Sequence, residues 1–391
     1  MELSTRRSVP ASTVFRLPHK ERVAELSEEW RHGKVTGRSK MSRSTREVAD
    51  IPPSTLMQLI TSFMPARLVH VAAHLGIADL LANGSKTAKT LARETKTHAP
   101  SLHRLLRALV SLGLLDEIEP NQFTLTATGA HLRTDMPGSL RNLALMFGGE
   151  QSWQSWGDLL HSVRTGESAS QHLYGLGSFE YLAAHPKQAL IFNEAMADIT
   201  RQVARALAAA YDFSRFRTVV DVGGGNGTLI AAILAGAPAL RGIVFDLLTG
   251  NAEAPQQLAA AGVAERCEVV VGDFLRSVPN GADAYILKSV IHDWDDDRSV
   301  LILKNCHRAM SAGGKLLLVE RVMPARMEAS PSHQRMAMID MNMLAVPGGR
   351  ERTEAEYRAL FAAAGFALVH ILPLSAQPDR IDVSLIEAAP V

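Results

Sequence analysis

Val219-Val220-Asp221-Val222 runs directly into Gly223-Gly224-Gly225-Asn226-Gly227-Thr228, and the chain continues as Leu229-Ile230-Ala231-Ala232-Ile233-Leu234. A β-branched apolar run, a glycine turn and an apolar run of helical composition predict a strand, a tight turn and a helix. Glycines at 223, 225 and 227 allow positive φ and let the backbone come close to a ligand. The free N–H groups opening the helix would face an anionic group. The spacing is G-x-G-x-G, with Thr228 where a dinucleotide fingerprint carries its third glycine, which argues against a nicotinamide cofactor.

Strands are predicted near 217–222, 241–246, 267–271, 283–289 and 314–320, and helices near 228–236, 252–261 and 297–311. Such alternation implies right-handed βαβ units and a parallel sheet whose ligands lie at the carboxyl ends of its strands. Asp221, Asp246, Asp273 and Lys288 fall at or near such ends. A final helix, Glu354 to Ala364, precedes two further strands, Phe366 to Leu372 and Ile381 to Glu387. At 391 residues the chain is long for one core, and two or three domains are expected.

Residues 1–50 carry eleven Lys or Arg against seven Asp or Glu, with little apolar periodicity. They read as a flexible, solvated extension in which Glu21 to Arg31 forms one short helix, and Met41 is a possible true start. From Pro53 the pattern changes. Leu56, Leu59, Ile60 and Phe63, then Leu68, Val71, Ala72 and Leu75, recur at helical spacing, with breaks expected near Pro65 and Gly76. Thr90–Glu94 and Ser101–Val110 add two helices, and Gly113–Ile118 with Gln122–Thr126 a hairpin, so 51–138 reads as a winged-helix-like module. Residues 139–212 form a helical connector holding Trp153, Trp156, Phe179, Tyr181, Phe192 and Met196, and 213–391 form the glycine-loop domain.

A winged helix raises a DNA-binding regulator as one reading, with His103, Arg104 and Arg107 on the recognition helix. Its flanks hold as many acids as bases, and a net charge of +1 gives no electrostatic reason for binding nucleic acid or a membrane. No apolar run reaches transmembrane length, and the N-terminus has no hydrophobic signal core. The two cysteines, Cys267 and Cys306, form neither a disulfide framework nor a zinc motif, which suits a reducing cytoplasm.

Asp246 closes Gly242–Asp246 and is placed to take two ribose hydroxyls; Asp273 closes Val269–Asp273 and is placed to accept from an adenine amino group. Together with Lys288-Ser289-Val290-Ile291-His292-Asp293-Trp294, these features resemble the AdoMet-dependent small-molecule O-methyltransferases of the hydroxyindole, caffeate and bacterial polyketide type. The likeness runs from about residue 55 onward. It implies a Rossmann-like class I methyltransferase domain with a mostly parallel seven-stranded sheet, its last two strands adding an antiparallel edge. It also implies that the N-terminal module is a dimerisation domain and the chain a homodimer. S-adenosyl-L-methionine is the implied cofactor, held by Asp221, Gly223, Gly225, Asp246, Leu247, Asp273, Phe274 and Lys288. Relatives usually carry Pro after the Asp-Leu pair, where this chain has Leu248.

Methyl transfer to a hydroxyl aligns sulfur, methyl and oxygen in line and removes a proton from the oxygen. His292, just after the apolar run Ala284–Leu287, is the expected base, and the resemblance implies that Glu320 and Glu351 hold it. Trp153, Phe192, Met196, Met341 and Asn342 are the expected acceptor contacts, with Asp340 an alternative to Asn342 for orienting a polar substituent. No cluster with metal-ligand spacing stands near the site, so a magnesium-dependent mechanism is not expected. Some relatives with the same cofactor site catalyse hydroxylation or decarboxylation of polycyclic substrates, and an AdoMet-sensing regulator is the alternative of another class.

Overall fold

Successive side chains of the strand Thr218–Val222 point to opposite faces, and each face is covered. Val219 joins Ile230, Leu234, Val203, Leu207, Ile286 and Leu317 in one buried cluster. Val220 and Val222 join Tyr285, Leu287, Leu316, Ile302, Cys306 and Phe361 in the other. A strand buried on both faces must be apolar at nearly every position, which is why these strands read as continuous runs. The computed structural model describes residues 53–374 and 382–391. The expected extension over 1–50, its helix and the candidate start at Met41 lie outside the described residues, as does Ile381 at the head of the last expected strand.

Seven strands form one sheet in the order Phe366–Pro373, Ser384–Pro390, Lys315–Glu320, Ala284–Lys288, Thr218–Val222, Arg241–Asp246, Cys267–Val271. The five strands from Lys315–Glu320 to Cys267–Val271 pair in parallel. From Thr218–Val222 the chain first builds outward to Cys267–Val271, then returns to lay Ala284–Lys288 on the other side. That reversal opens a crevice at the carboxyl ends of Thr218–Val222 and Ala284–Lys288.

The last two strands add an antiparallel pair at one edge of the sheet, as expected. Ser384–Pro390 is antiparallel to both its neighbours but is inserted inside the sheet, between Lys315–Glu320 and Phe366–Pro373. The second arm of this hairpin takes the inner place, so the outermost strand runs in the same direction as the five parallel ones.

Before the sheet, helices Phe63–His74, Ala88–Thr95 and Ala99–Ser111 enclose a separate core of Leu91, Leu102, Leu106, Leu109 and Phe123. A three-stranded sheet, ordered Lys86–Thr87, Gln122–Leu125, Leu115–Glu119, completes it. The break expected near Pro65 falls instead at Ser62, where helices Thr55–Thr61 and Phe63–His74 bend by 40°. Pro65 sits in the first turn of the second helix, where a missing N–H costs no bond. Residues 141–210 are a succession of helices ending in the long Pro186–Ala210. Among the described residues no single helix is long and apolar enough to cross a membrane.

The helix Thr228–Gly236 behind the glycine turn ends against one side chain. Arg266 Nη1 donates to Ala237 O (3.1 Å) and Leu240 O (2.9 Å), and its Nη2 donates to Leu234 O (2.9 Å). Arg266→Met would remove all three of these bonds, leaving Leu234 O and Ala237 O with only their backbone donors, the N–H groups of Ala237 and Leu240, and about 2 kcal/mol of stability should be lost. The expected reading is a lower urea midpoint at unchanged slope.

Candidate active site

The strand Thr218–Val222 ends in a turn that requires glycine: φ is +70° at Gly223, +54° at Gly225 and +79° at Gly227. Gly223 N–H donates to Phe245 O at 2.8 Å, tying the turn to the neighbouring strand. A Cβ on Gly223 would sit 2.8 Å from Val290 Cγ2, whereas one on Gly225 would meet open space. The turn is thus closed beneath and open above, the shape of a cradle for a ligand.

Asp246 stands at the end of the adjacent strand. Its Oδ2 accepts from Gly225 N–H (2.8 Å) and its Oδ1 from Leu247 N–H (2.6 Å). Each oxygen keeps a second lone pair, enough for a pair of vicinal hydroxyls. Leu248 opens a short helix, Leu248–Asn251, at the first helical position, a place that accepts proline equally well. The departure from the family pattern therefore leaves the loop path unchanged. Asp273 Oδ1 accepts from Leu275 N–H at 2.8 Å, and the carbonyl of Phe274 accepts from Asn305 Nδ2 at 2.7 Å.

Asp221 is buried with its Oδ2 unpartnered. Burial first, and then the charge of Asp246, push its carboxyl up to about 7, with Lys288 opposing. Lys288 Nζ donates to Ser289 Oγ (3.2 Å), and burial holds this ammonium below its ordinary range. Ser289 has φ +54°, a conformation that costs a side-chain-bearing residue free energy and clusters at functional sites.

Three residues on, His292 is buried among acids from three segments. Its Nδ1 lies 3.0 Å from Glu351 Oε1 and 3.5 Å from Glu320 Oε2, and its Nε2 lies 3.6 Å from Asp293 Oδ1. An ionised carboxylate only accepts, so Nδ1 carries the proton and donates it to Glu351. Glu320 Oε1 accepts from Val290 and Ile291 N–H, both at 2.9 Å. Arg321 Nη1 donates to Glu351 Oε1 at 3.2 Å, and Glu351 N–H donates to Asp340 Oδ1 at 2.8 Å. Burial disfavours the imidazolium, but Glu320, Asp293 and Glu351 outweigh it and hold His292 up to about 9. Burial raises Glu351 too, yet His292 and Arg321 prevail and keep its carboxyl below the ordinary range.

His292, Glu320 and Glu351 present ligand-type atoms within 4.8 Å of one another, so the expectation that no metal-type cluster stands near the site is corrected. The three come from separate strand ends and a distant loop, and linear spacing could not display them. Arg321 beside Glu351 and Lys288 nearby already supply positive charge to these acids. His292 with Glu320, Glu351, Asp221, Asp246 and Lys288 lies at the crevice end of the sheet, with Gly223, Gly225, Leu247, Asp273 and Phe274 in the adjoining turns.

The aromatic side chains divide. Phe192 meets Phe179 edge-on, Phe179 stacks on Trp294, and Trp294 meets Phe274 edge-on, with ring centroids 5.9–6.4 Å apart. This ladder links the helices over 178–210 to the turn after Asp273. Trp153 packs instead against Phe63 and under the guanidinium of Arg67. Its neighbour Trp156 donates from Nε1 to Asn342 Oδ1 at 3.1 Å. That bond leaves the Asn342 amide hydrogens for other partners, while Asp340 is occupied by Glu351. Met196 and Met341 are both half-buried. Sequence reasoning passed over Arg321 and the fully buried Arg352; no periodicity distinguishes a buried arginine from the exposed Arg350 two places earlier.

Because His292 is held above its ordinary value of 6.5, the stabilisation from its ion pairs is complete below about 6.5 and lost as pH rises through about 9. NMR titration of the ligand-free protein should find this imidazole titrating well above the ordinary value of 6.5. Glu351→Gln should move it downward.

Comparison with known proteins identifies the family. Residues 156–367 match an O-methyltransferase domain and residues 57–135 an O-methyltransferase dimerisation domain. The phenazine O-methyltransferase PhzM of Lysobacter antibioticus is 45% identical over 90% of this chain and 100% of its own. The O-demethylpuromycin-O-methyltransferase of Streptomyces alboniger is 39% identical over 86% of this chain and 89% of its own. Among solved structures, the O-methyltransferase of neocarzinostatin biosynthesis bound to S-adenosyl-L-homocysteine and 1,4-dihydroxy-2-naphthoic acid superposes with a TM-score of 0.74, 35% identity, and coverage of 88% of this chain and 100% of its own. A seven-stranded sheet with a glycine cradle, a preceding dimerisation domain and relatives of this length leave one assignment: the chain belongs to the O-methyltransferase family.

Proposed function

We propose that His292 takes the proton from the acceptor hydroxyl while this enzyme moves a methyl group from S-adenosyl-L-methionine to an aromatic secondary metabolite. The observation that carries this reading is the buried His292–Glu351 pair at 3.0 Å inside an O-methyltransferase domain. AdoMet supplies an electrophilic methyl group, and every other requirement falls to the protein. Asp246 offers two free lone pairs to the ribose, Asp273 one to the adenine amino group, and Phe274 an aromatic face to its ring. The glycine turn at 223–227, Asp221, Leu247 and Lys288 complete the cofactor site.

With Nδ1–H committed to Glu351, Nε2 of neutral His292 is the free lone pair, and it receives the hydroxyl proton as the C–O bond forms. The imidazolium so produced sits among Glu320, Asp293 and Glu351, which stabilise it. The aromatic ladder and the methionines Met196 and Met341 suit a flat, fused-ring acceptor, in line with the phenazine and naphthoate named for the relatives. Asn342 presents amide hydrogens to a polar substituent on that ring. We assign dimerisation to residues 51–138, acceptor binding largely to 139–212 and cofactor binding to 213–391. We place the enzyme in the cytoplasm, consistent with its two free cysteines, and assign it no nucleic-acid or membrane partner.

Incubation with labelled AdoMet and a panel of hydroxyphenazines, naphthols and hydroxyquinones tests the reaction, label in the organic extract being the expected result. His292→Ala should lower turnover at neutral pH by roughly 10² to 10⁴ and abolish the rise of rate with pH, leaving AdoMet binding by calorimetry unchanged. Asp246→Ala should do the reverse, weakening cofactor binding first. The dimerisation domain supports a homodimer whose interface includes the exposed Ile60 and Phe63. Substituting both by Asp should yield a monomer in light scattering.

A further inference from the structure

Arg352 is the largest side chain the fold buries completely, at 0% exposure, and its guanidinium is spent on one turn of the chain. Nη1 donates to Ile291 O at 2.9 Å and Nη2 to Trp294 O at 2.8 Å. Nε and Nη2 reach Asp296 Oδ1 at 3.1 and 2.8 Å, and Nη2 reaches Ser299 Oγ at 3.3 Å. Two residues earlier, Arg350 N–H donates to His292 O at 2.8 Å. The carbonyls of Ile291, His292 and Trp294 are therefore all gripped by the segment that carries Glu351. That segment is itself anchored: Arg352–Thr353 pairs in parallel with Val322–Met323, immediately after Glu320 and Arg321. At Gly349 a Cβ would lie 1.9 Å from His292 O, so the two segments are in direct backbone contact.

We propose that Arg352 is a positioning residue that locks the His292 turn to the Glu351 segment and so sets the imidazole–carboxylate geometry on which proton removal depends. It touches neither reactant. A backbone carbonyl fork of this kind needs a planar group with several fixed donors, which lysine does not have. Asp296, half-exposed, orients the fork from the far side. The inference rests on the reading of His292 as the base, and the test separates the two.

Arg352→Lys and Asp296→Asn are each made in the native and in the His292→Ala background. Turnover is measured at saturating AdoMet and phenol across pH, with AdoMet affinity by calorimetry. In the native background, Arg352→Lys should lower kcat roughly 10²-fold and displace the pH–rate limb, with AdoMet affinity nearly unchanged. Asp296→Asn should give a smaller loss in the same direction. In the His292→Ala background, neither should lower kcat further, because the group being positioned is gone. Equal fractional losses in both backgrounds, or no loss in the native one, overturn the proposal. Should Arg352→Lys not fold, Asp296→Asn at the solvent side carries the comparison. If His292→Ala alone keeps native turnover, the base assignment fails. The clamp is then decided by the His292 Nδ1–H proton signal in NMR: displacement in Arg352→Lys sustains it and an unmoved signal overturns it.

Discussion

Burying charge is costly unless each charge is paired, and this fold buries His292, Glu320 and Glu351 at one end of its sheet, with Lys288 half-buried beside them. The site is stable because the partners arrive from different directions. Glu320 comes up its own strand and is met by two backbone N–H groups of the turn that carries His292. Glu351 comes from a loop some thirty residues later and finds both the imidazole and Arg321. Losing Glu351 would take from His292 its 3.0 Å partner and from Arg321 the carboxylate it bonds. The parallel sheet matters here chiefly because it delivers its strand ends to a common edge.

The cofactor side follows another logic. There the protein offers backbone and lone pairs: a turn open above Gly225 and a carboxylate at Asp246 that is half satisfied by its own chain. Pre-ordering Asp246 in this way spares a ligand the cost of arranging it. The wall we propose for the acceptor differs again: it offers aromatic rings and thioethers, with Asn342 held by Trp156. The charged machinery and the apolar wall belong to separate elements, so one can vary while the other is kept.

Much of this was legible in the residues. Strands buried on both faces announce themselves as apolar runs, and glycine at positive φ has few substitutes, so the sheet and its turn at 223–227 could be read directly. The His-Asp-Trp run and its acids were legible by resemblance, and the structure brings His292, Glu320 and Glu351 within contact. What stayed hidden depended on three-dimensional choice. Either arm of the final hairpin could have taken the inner place in the sheet. Two tryptophans stand three places apart on one helix, and only the fold shows that Trp156 bonds Asn342 while Trp153 packs under Arg67. Nothing local marks Arg352 as buried and Arg350 as exposed.

The insertion of Ser384–Pro390 between Lys315–Glu320 and Phe366–Pro373 also governs how the molecule is made. This strand follows every other strand in the chain, yet two of them need it as a neighbour. While the polypeptide is still emerging from the ribosome, Lys315–Glu320, which ends in Glu320, has one side unpaired. Until Ser384–Pro390 has been made, that side is an open strand edge, the kind of surface that pairs with other chains.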